Sequence, residues 1–356
     1  TFDAYARNAI RVNYVFATTD LMTFFIMNGV ESLIMWLGAD RVGAHAMQIG
    51  SISALIEYAM LILFFMMMAQ FAMLSVPRAL ACLDRAVEAL EVSPQIRDAE
   101  ECKEPAMVGE EVARFDHASL RYADADEDTL CDLDFSIRRG QVCAIIGNTG
   151  SGKSTVAKML LRFCDATEGS LRFGGVDVRV ISQETLRSHI AYVPQKAWLF
   201  SGTIAENLRH GRADATDEEL WHALDVAQAS FVRELPDGLD SRVAQGGTNF
   251  SGGQRQRLAI ARALVRQADL YVFDDSFSAL DFKTDAALRH ALASELAGAA
   301  TLIIAQRVST IHDANRIVVL KDGRIVGLGT HDALMQTCET YRAIAQSQAR
   351  KEDIRG

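Results

Sequence analysis

The segment Gly147-Asn148-Thr149-Gly150-Ser151-Gly152-Lys153-Ser154, followed by Thr155, fits the pattern G-x-x-x-x-G-K-[ST]. Its chemistry is the cradling of phosphate. Glycines at 147, 150 and 152 let the backbone curl until its N–H groups point at phosphate oxygens. A helix opening at this point adds the partial positive charge of its N-terminus. The Lys153 ammonium then reaches the β and γ phosphates of a nucleoside triphosphate, and the Ser154 hydroxyl coordinates Mg2+. A second element completes the site. The apolar run Leu270-Tyr271-Val272-Phe273 ends in Asp274-Asp275, and a carboxylate at such a strand end, Asp274, holds the metal shell.

Strands and helices must hold these residues. Gln141 to Ile146 is a nearly continuous apolar run, as a buried parallel strand requires. Val156, Met159, Leu160 and Phe163 follow the loop at helical spacing. Thr301 to Ala305 is a third buried strand and ends at Gln306. Ile317–Leu320 and Ile325-Val326 form a hairpin turning at Asp322-Gly323. From Val112 onward, short apolar runs alternate with helical stretches, an α/β pattern.

Between the two phosphate-site elements lies Asn249-Phe250-Ser251-Gly252-Gly253-Gln254-Arg255-Gln256-Arg257, with Leu258, Ala261, Leu264 and Val265 marking a helix behind it. This stretch resembles the signature motif of ABC transporters, and residues 113–348 resemble a complete ATP-binding cassette, with its helical subdomain over about 196–262. The resemblance implies ATP and Mg2+ as cofactors. It implies that Tyr122 stacks on adenine, that Gln195 of Tyr192-Val193-Pro194-Gln195 contacts the metal and the membrane domains, and that Asp281 closes the segment Ser278-Ala279-Leu280-Asp281 beside the dimer partner. It further implies that Ser251, Gly252, Gly253 and Gln254 face the ATP held by a second cassette. The metal set is then Ser154, Gln195 and Asp274, and the catalytic positions are Asp275 and Gln306.

The first ninety or so residues are of another kind. Residues 21–38 and 46–76 are apolar enough to cross a hydrocarbon core of about 30 Å as helices, the first span beginning near Val15. Arg7, Arg11, Arg78 and Arg85 outweigh Arg41 of the 39–46 loop, which puts both ends in the cytoplasm. Asp20, Asn28, Glu31, Glu57 and Gln70 lie within the spans. An ionisable group at that depth lines an aqueous path or pairs with a neighbouring helix, and for Glu57 both readings stay open. Met60, Met66, Met67, Met68 and Met73 offer an adaptable surface or plain packing. Leu80, Leu83, Val87 and Leu90 extend the second helix to about 92, where Ser93-Pro94 ends it. A linker follows over 93–112, and a polar tail over 349–356. The expected fold is all-α transmembrane helices followed by an α/β P-loop NTPase domain.

A net charge of −10 argues against a nucleic-acid partner, which needs basic surface. None of the six cysteines forms a CxxC pair, so zinc-knuckle and thioredoxin chemistries are not indicated. Two spans before a cassette resemble the end of a type IV exporter half-transporter, with two of its six membrane helices. The first residue, Thr1, fits a C-terminal portion of a longer chain. The spans also separate the chain from the ABC-type ATPases of DNA repair. An importer fits less well, because importers keep membrane and cassette parts on separate chains.

Two positions depart from the family. Asp275 stands where the family generally has glutamate, and Gln306 where it has histidine. Together, beside an intact signature, they point to the degenerate ATP site of a heterodimer whose other half-transporter hydrolyses ATP, with a hydrophobic small molecule as substrate and the lipid bilayer as medium. The alternative is a homodimeric lipid or peptide exporter with full hydrolysis.

Overall fold

The computed structural model describes residues 2–353 and divides into two units, 1–94 and 95–356. The first holds helices α1 (Phe2–Gly43) and α2 (Ile49–Glu91). Both are long and apolar enough to cross a membrane, and they bury almost nothing within the chain. Phe24, Phe25, Trp36, Tyr58, Phe65 and Phe71 are all exposed. Such a surface is unstable in water and suited to lipid. α2 runs on without a break from the apolar stretch through Pro77 to Glu91, and Val92 leaves the helix in an extended conformation. Asp20 and Glu57 line one cavity of about 560 Å³ between the two helices, together with Thr23, Met60, Phe64 and Met67.

The second unit is layered. Strands β1 (Glu111–Leu120), β2 (Leu130–Arg138), β4 (Glu168–Phe173) and β5 (Val176–Asp177) form an antiparallel sheet ordered β2-β1-β4-β5. The larger sheet joins β3 (Val142–Gly147), β6 (Ile190–Val193), β9 (Leu270–Asp274), β10 (Ala300–Ile304), β11 (Arg316–Lys321) and β12 (Arg324–Gly329). Its order is β12-β11-β3-β10-β9-β6, and β7 (Gly202–Thr203) pairs separately with β8 (Arg242–Val243). All its pairs are parallel except β11–β12, the expected hairpin. That hairpin turns at Asp322 and Gly323, with φ of 48° and 74°, the left-handed pair that a two-residue turn demands.

β3 shows why the layers stack. Its residues are buried on both faces: Cys143 and Ile145 join the core shared with the small sheet, beside Phe115, Phe135 and Leu302. Ala144 and Ile146 join the core under the helices, beside Leu199, Ile260 and Phe273. A strand with a period of two and no polar face fits only between two layers. In the helical layer, α5 (Ile204–Arg209), α6 (Asp217–Val226) and α7 (Gly252–Val265) each begin with a capping box: Thr203 with Glu206, Thr216 with Glu219, Ser251 with Gln254. The remaining helices are α3 (Lys153–Leu160), α4 (Gln183–Ser188), α8 (Phe282–Glu295), α9 (Val308–Ile311), α10 (His331–Thr337) and α11 (Glu339–Asp353). α11 takes in most of what the sequence suggests as a polar tail. Phe163 lies beyond α3 and is exposed.

Much of the expected linker is bound to the second unit. Lys103 N–H donates to the Val180 carbonyl at 2.7 Å, and Ala106 N–H to that of Gly174 at 3.0 Å. The buried Arg162 donates to the Arg97, Arg179 and Ile181 carbonyls, and Asp98 accepts from Arg162 and Gln183. A guanidinium has five donors to satisfy, and here the incoming chain supplies some of the acceptors.

Burial also separates the thiols. It pushes Cys143 up to about 12, whereas Cys102 is exposed. Thiolate is the reactive form. Iodoacetamide at pH 8 is expected to label Cys102 in the native protein and Cys143 only after denaturation; peptide mapping checks this, and equal labelling would contradict the described core.

Candidate active site

The carboxyl ends of the parallel strands converge on one cavity of about 270 Å³, lined by Thr149, Gly150, Lys153, Gln195, Asp274, Asp275 and Gln306, with Gly152, Ser154 and Thr155 alongside. β3 delivers the phosphate loop, β9 the paired aspartates, β6 leads to Gln195 and β10 to Gln306. Gly150 and Gly152 hold φ of 84° and 95°. Gly147 has a different reason to be glycine: a Cβ there would stand 2.2 Å from the Leu320 carbonyl oxygen and 2.6 Å from Ser151 Oγ. Gly147 and Asn148 line a neighbouring cavity instead, and Ser151 is buried with its hydroxyl unpartnered.

Lys153 Nζ donates to the carbonyls of Gly147 at 2.8 Å and Asn148 at 2.7 Å. The ammonium thus lies inside its own loop, where burial pulls its pKa down against the attraction of Asp275 and Asp274. Ser154 Oγ donates to Asp274 Oδ1 at 3.3 Å, so the two expected metal groups meet. Tyr192 OH donates to Asp274 Oδ2 at 3.2 Å, a partner that the sequence reading did not single out. Asp275 Oδ2 accepts from two amides, Gln195 Nε2 at 2.9 Å and Gln306 Nε2 at 2.7 Å. Burial raises the pKa of both aspartates. A hydroxyl beside two carboxylates reluctant to ionise is a donor set that suits a hard divalent cation, which would favour their charged form.

Other expected site residues lie elsewhere. Ser251 and Gln254 cap α7 reciprocally, with Ser251 N–H donating to Gln254 Oε1 at 2.9 Å. Ser251 and Gly252 are exposed, and a Cβ on Gly252 would meet nothing within 4 Å. Gly253 is tighter: a Cβ there would stand 3.3 Å from the Ala279 carbonyl oxygen, so this turn lies close to the segment ending at Asp281. Asp281 caps α8, accepting from Thr284 N–H at 3.0 Å and from its hydroxyl at 2.8 Å. Tyr122 packs half-buried against the core of the small sheet and does not line the phosphate-loop cavity.

Comparison with known proteins identifies the family. Residues 130–278 match the family model of ABC transporters. The chain is 42% identical over 340 residues to an uncharacterized ABC transporter ATP-binding protein of Mycobacterium tuberculosis, covering 94% of this chain and 58% of that protein. It is 40% identical over 268 residues to a probable multidrug resistance ABC transporter ATP-binding/permease protein of Bacillus subtilis, covering 74% and 45%. An ATP-dependent lipid A-core flippase of Chromobacterium violaceum is 40% identical over 235 residues, 66% of this chain and 40% of that one. The structure of a bacterial Atm1-family ABC exporter with ATP bound superposes with a TM-score of 0.83 at 29% identity, over 98% of this chain and 61% of that one. The matched part of the chain thus spans 40% to 61% of the length of these relatives. Its apolar helices are membrane helices, and its cassette is cytoplasmic.

Replacing Gly147 with alanine is expected to lower stability by about 1–3 kcal/mol through overpacking against Leu320 and to abolish ATP binding. Thermal unfolding with and without ATP checks both; a normal shift of Tm by ATP in the variant would count against the described loop.

Proposed function

The chain carries the ATP-binding cassette of the ABC transporters, and we propose that it is part of an exporter subunit that couples ATP binding and hydrolysis to export of hydrophobic or drug-like compounds. Lys153 leaves the Gly147 and Asn148 carbonyls to bind the β and γ phosphates, while the loop N–H groups and the start of α3 hold the rest. Ser154, Asp274 and Gln195 hold Mg2+, which neutralises charge on the phosphate oxygens. Tyr122 stacks on adenine. The exposed turn Ser251–Gly253 serves the ATP of a second half-transporter, so closure of two cassettes drives the helices. That coupling requires ATP to bind the closed dimer more tightly than the open one. Names of relatives that mention multidrug resistance and lipid A-core flipping support a hydrophobic substrate.

The observation that carries the finer reading is the surroundings of Asp275. Its carboxylate is shorter than glutamate by one methylene, roughly 1.5 Å of reach, and a misplacement of about 1 Å can cost about 100-fold in rate. Both amides that hold it are neutral, and Gln306 cannot supply positive charge to the γ-phosphate. We read this chain's own site as binding ATP and hydrolysing it slowly, with the brisk site on a heterodimeric partner.

Steady-state turnover of the full-length chain, alone and with its co-encoded neighbour, tests this. Only the pair is expected to be brisk, and Asp275→Glu is expected to raise turnover of the chain alone about 10- to 100-fold. A chain equally active alone, unimproved by Asp275→Glu, would favour the homodimeric lipid or peptide exporter.

A further inference from the structure

Gln348, near the end of α11, reaches the segment that carries Gln306. Its Nε2 donates to the Gln306 carbonyl at 2.7 Å, and its Oε1 accepts from the Val308 N–H at 2.8 Å. One side-chain amide therefore holds the backbone on both sides of Arg307. The accepting half has a defined task. Val308 opens α9, whose N-cap position forms no side-chain cap bond. The first N–H groups of a helix have no partner within it, and Gln348 supplies one from another element.

α11 is a firm base for this clamp. Tyr341, two turns earlier on the same face, is fully buried, and its hydroxyl and His331 Nδ1 share a hydrogen bond of 2.8 Å. Arg342 donates to the carbonyls of Met335 and Gln336. A cavity of about 580 Å³, bordered by Asn148, Thr149, Lys321 and Ser347, separates much of α11 from the phosphate loop. Gln306 and Gln348 both line this cavity, while Ala305 and Val308 anchor the ends of the segment in the core, so the clamp acts on the stretch between two packed residues. From Gln306 the chain of contacts runs through its Nε2 to Asp275 Oδ2 and on to Gln195 Nε2.

We infer that Gln348 is a positioning residue for hydrolysis: by clamping the backbone at Gln306 and Val308, it sets where the Gln306 amide stands against Asp275. It does so without touching the nucleotide. The inference rests on the reading of Gln306 as a residue of the hydrolytic step, and the experiment separates the two.

ATP turnover of the full-length chain is measured for wild type, Gln306→Ala, Gln348→Ala and the double variant, each also in an Asp275→Glu background to raise the signal. Gln348→Ala is expected to lower kcat about tenfold with KM for ATP nearly unchanged. In the double variant, Gln348→Ala is expected to add little to Gln306→Ala, because both act through one group. Wild-type kcat for Gln348→Ala, or a full additional loss in the Gln306→Ala background, overturns the inference while leaving Gln306's role intact. No effect of Gln306→Ala overturns the reading of Gln306, and this inference with it. Should Gln348→Ala fail to fold, Gln348→Glu decides. Its carboxylate still accepts from Val308 N–H but cannot donate to the Gln306 carbonyl and sets an oxygen against it, so kcat is expected to fall, and an unchanged kcat refutes the clamp.

Discussion

The parallel register of four adjacent strands is the constraint on which the site depends. β3 lies beside β10, β10 beside β9, and β9 beside β6, with Ile145, Ile304, Asp274 and Phe273 among the residues in register near their carboxyl ends. Parallel strands end at the same edge. Four loops far apart in sequence therefore emerge together, and each contributes groups of one kind: curled N–H groups, carboxylates, and two side-chain amides. Ligand sites in open α/β sheets lie at this carboxyl edge for the same reason. A register slip at any of the three pairings would turn a strand's buried residues to the wrong layer as well as displace its functional residue.

The electrostatics of that edge are unbalanced by design of the fold. Lys153, Asp274 and Asp275 are all partly withdrawn from water, and burial shifts each toward its neutral form. Neutral donors, the Tyr192 hydroxyl and the Gln195 and Gln306 amides, compensate the carboxylates in part. An anion and a divalent cation entering together would satisfy both signs at once. Perturbed groups gathered in one cavity with a stated physical cause mark a candidate binding site.

Local chemistry was legible in the sequence where it depends on neighbours in the chain. The phosphate loop, the buried strands and the Asp322-Gly323 turn follow from spacing, propensity and the left-handed conformations that glycine permits. The reciprocal cap of Ser251 and Gln254 sits within one four-residue stretch, and its residue types were on view from the start. Contacts across the sheet were not legible. Tyr192 reaches Asp274 only because β6 pairs with β9, and strand order is not written in any local pattern. Gln348 reads as one more polar residue of a charged C-terminal stretch until α11 folds back. The stretch 95–106 reads as a linker because it is acidic and lacks periodicity, yet its backbone groups and Asp98 find partners on Arg162, Val180 and Gly174.

β3 belongs to two cores, with alternate residues committed to each. The cassette accordingly lacks a seam along which one layer could be lost while the other persists. Unzipping the small sheet would bare Cys143 and Ile145, and lifting the helical layer would bare Ala144 and Ile146, of the same six-residue strand. Melting of the two layers is thereby coupled through the strand that carries the phosphate loop. Anything that grips the loop strengthens the hold on both layers at once, so nucleotide acts on the cooperativity of the whole cassette and not on a single corner of it.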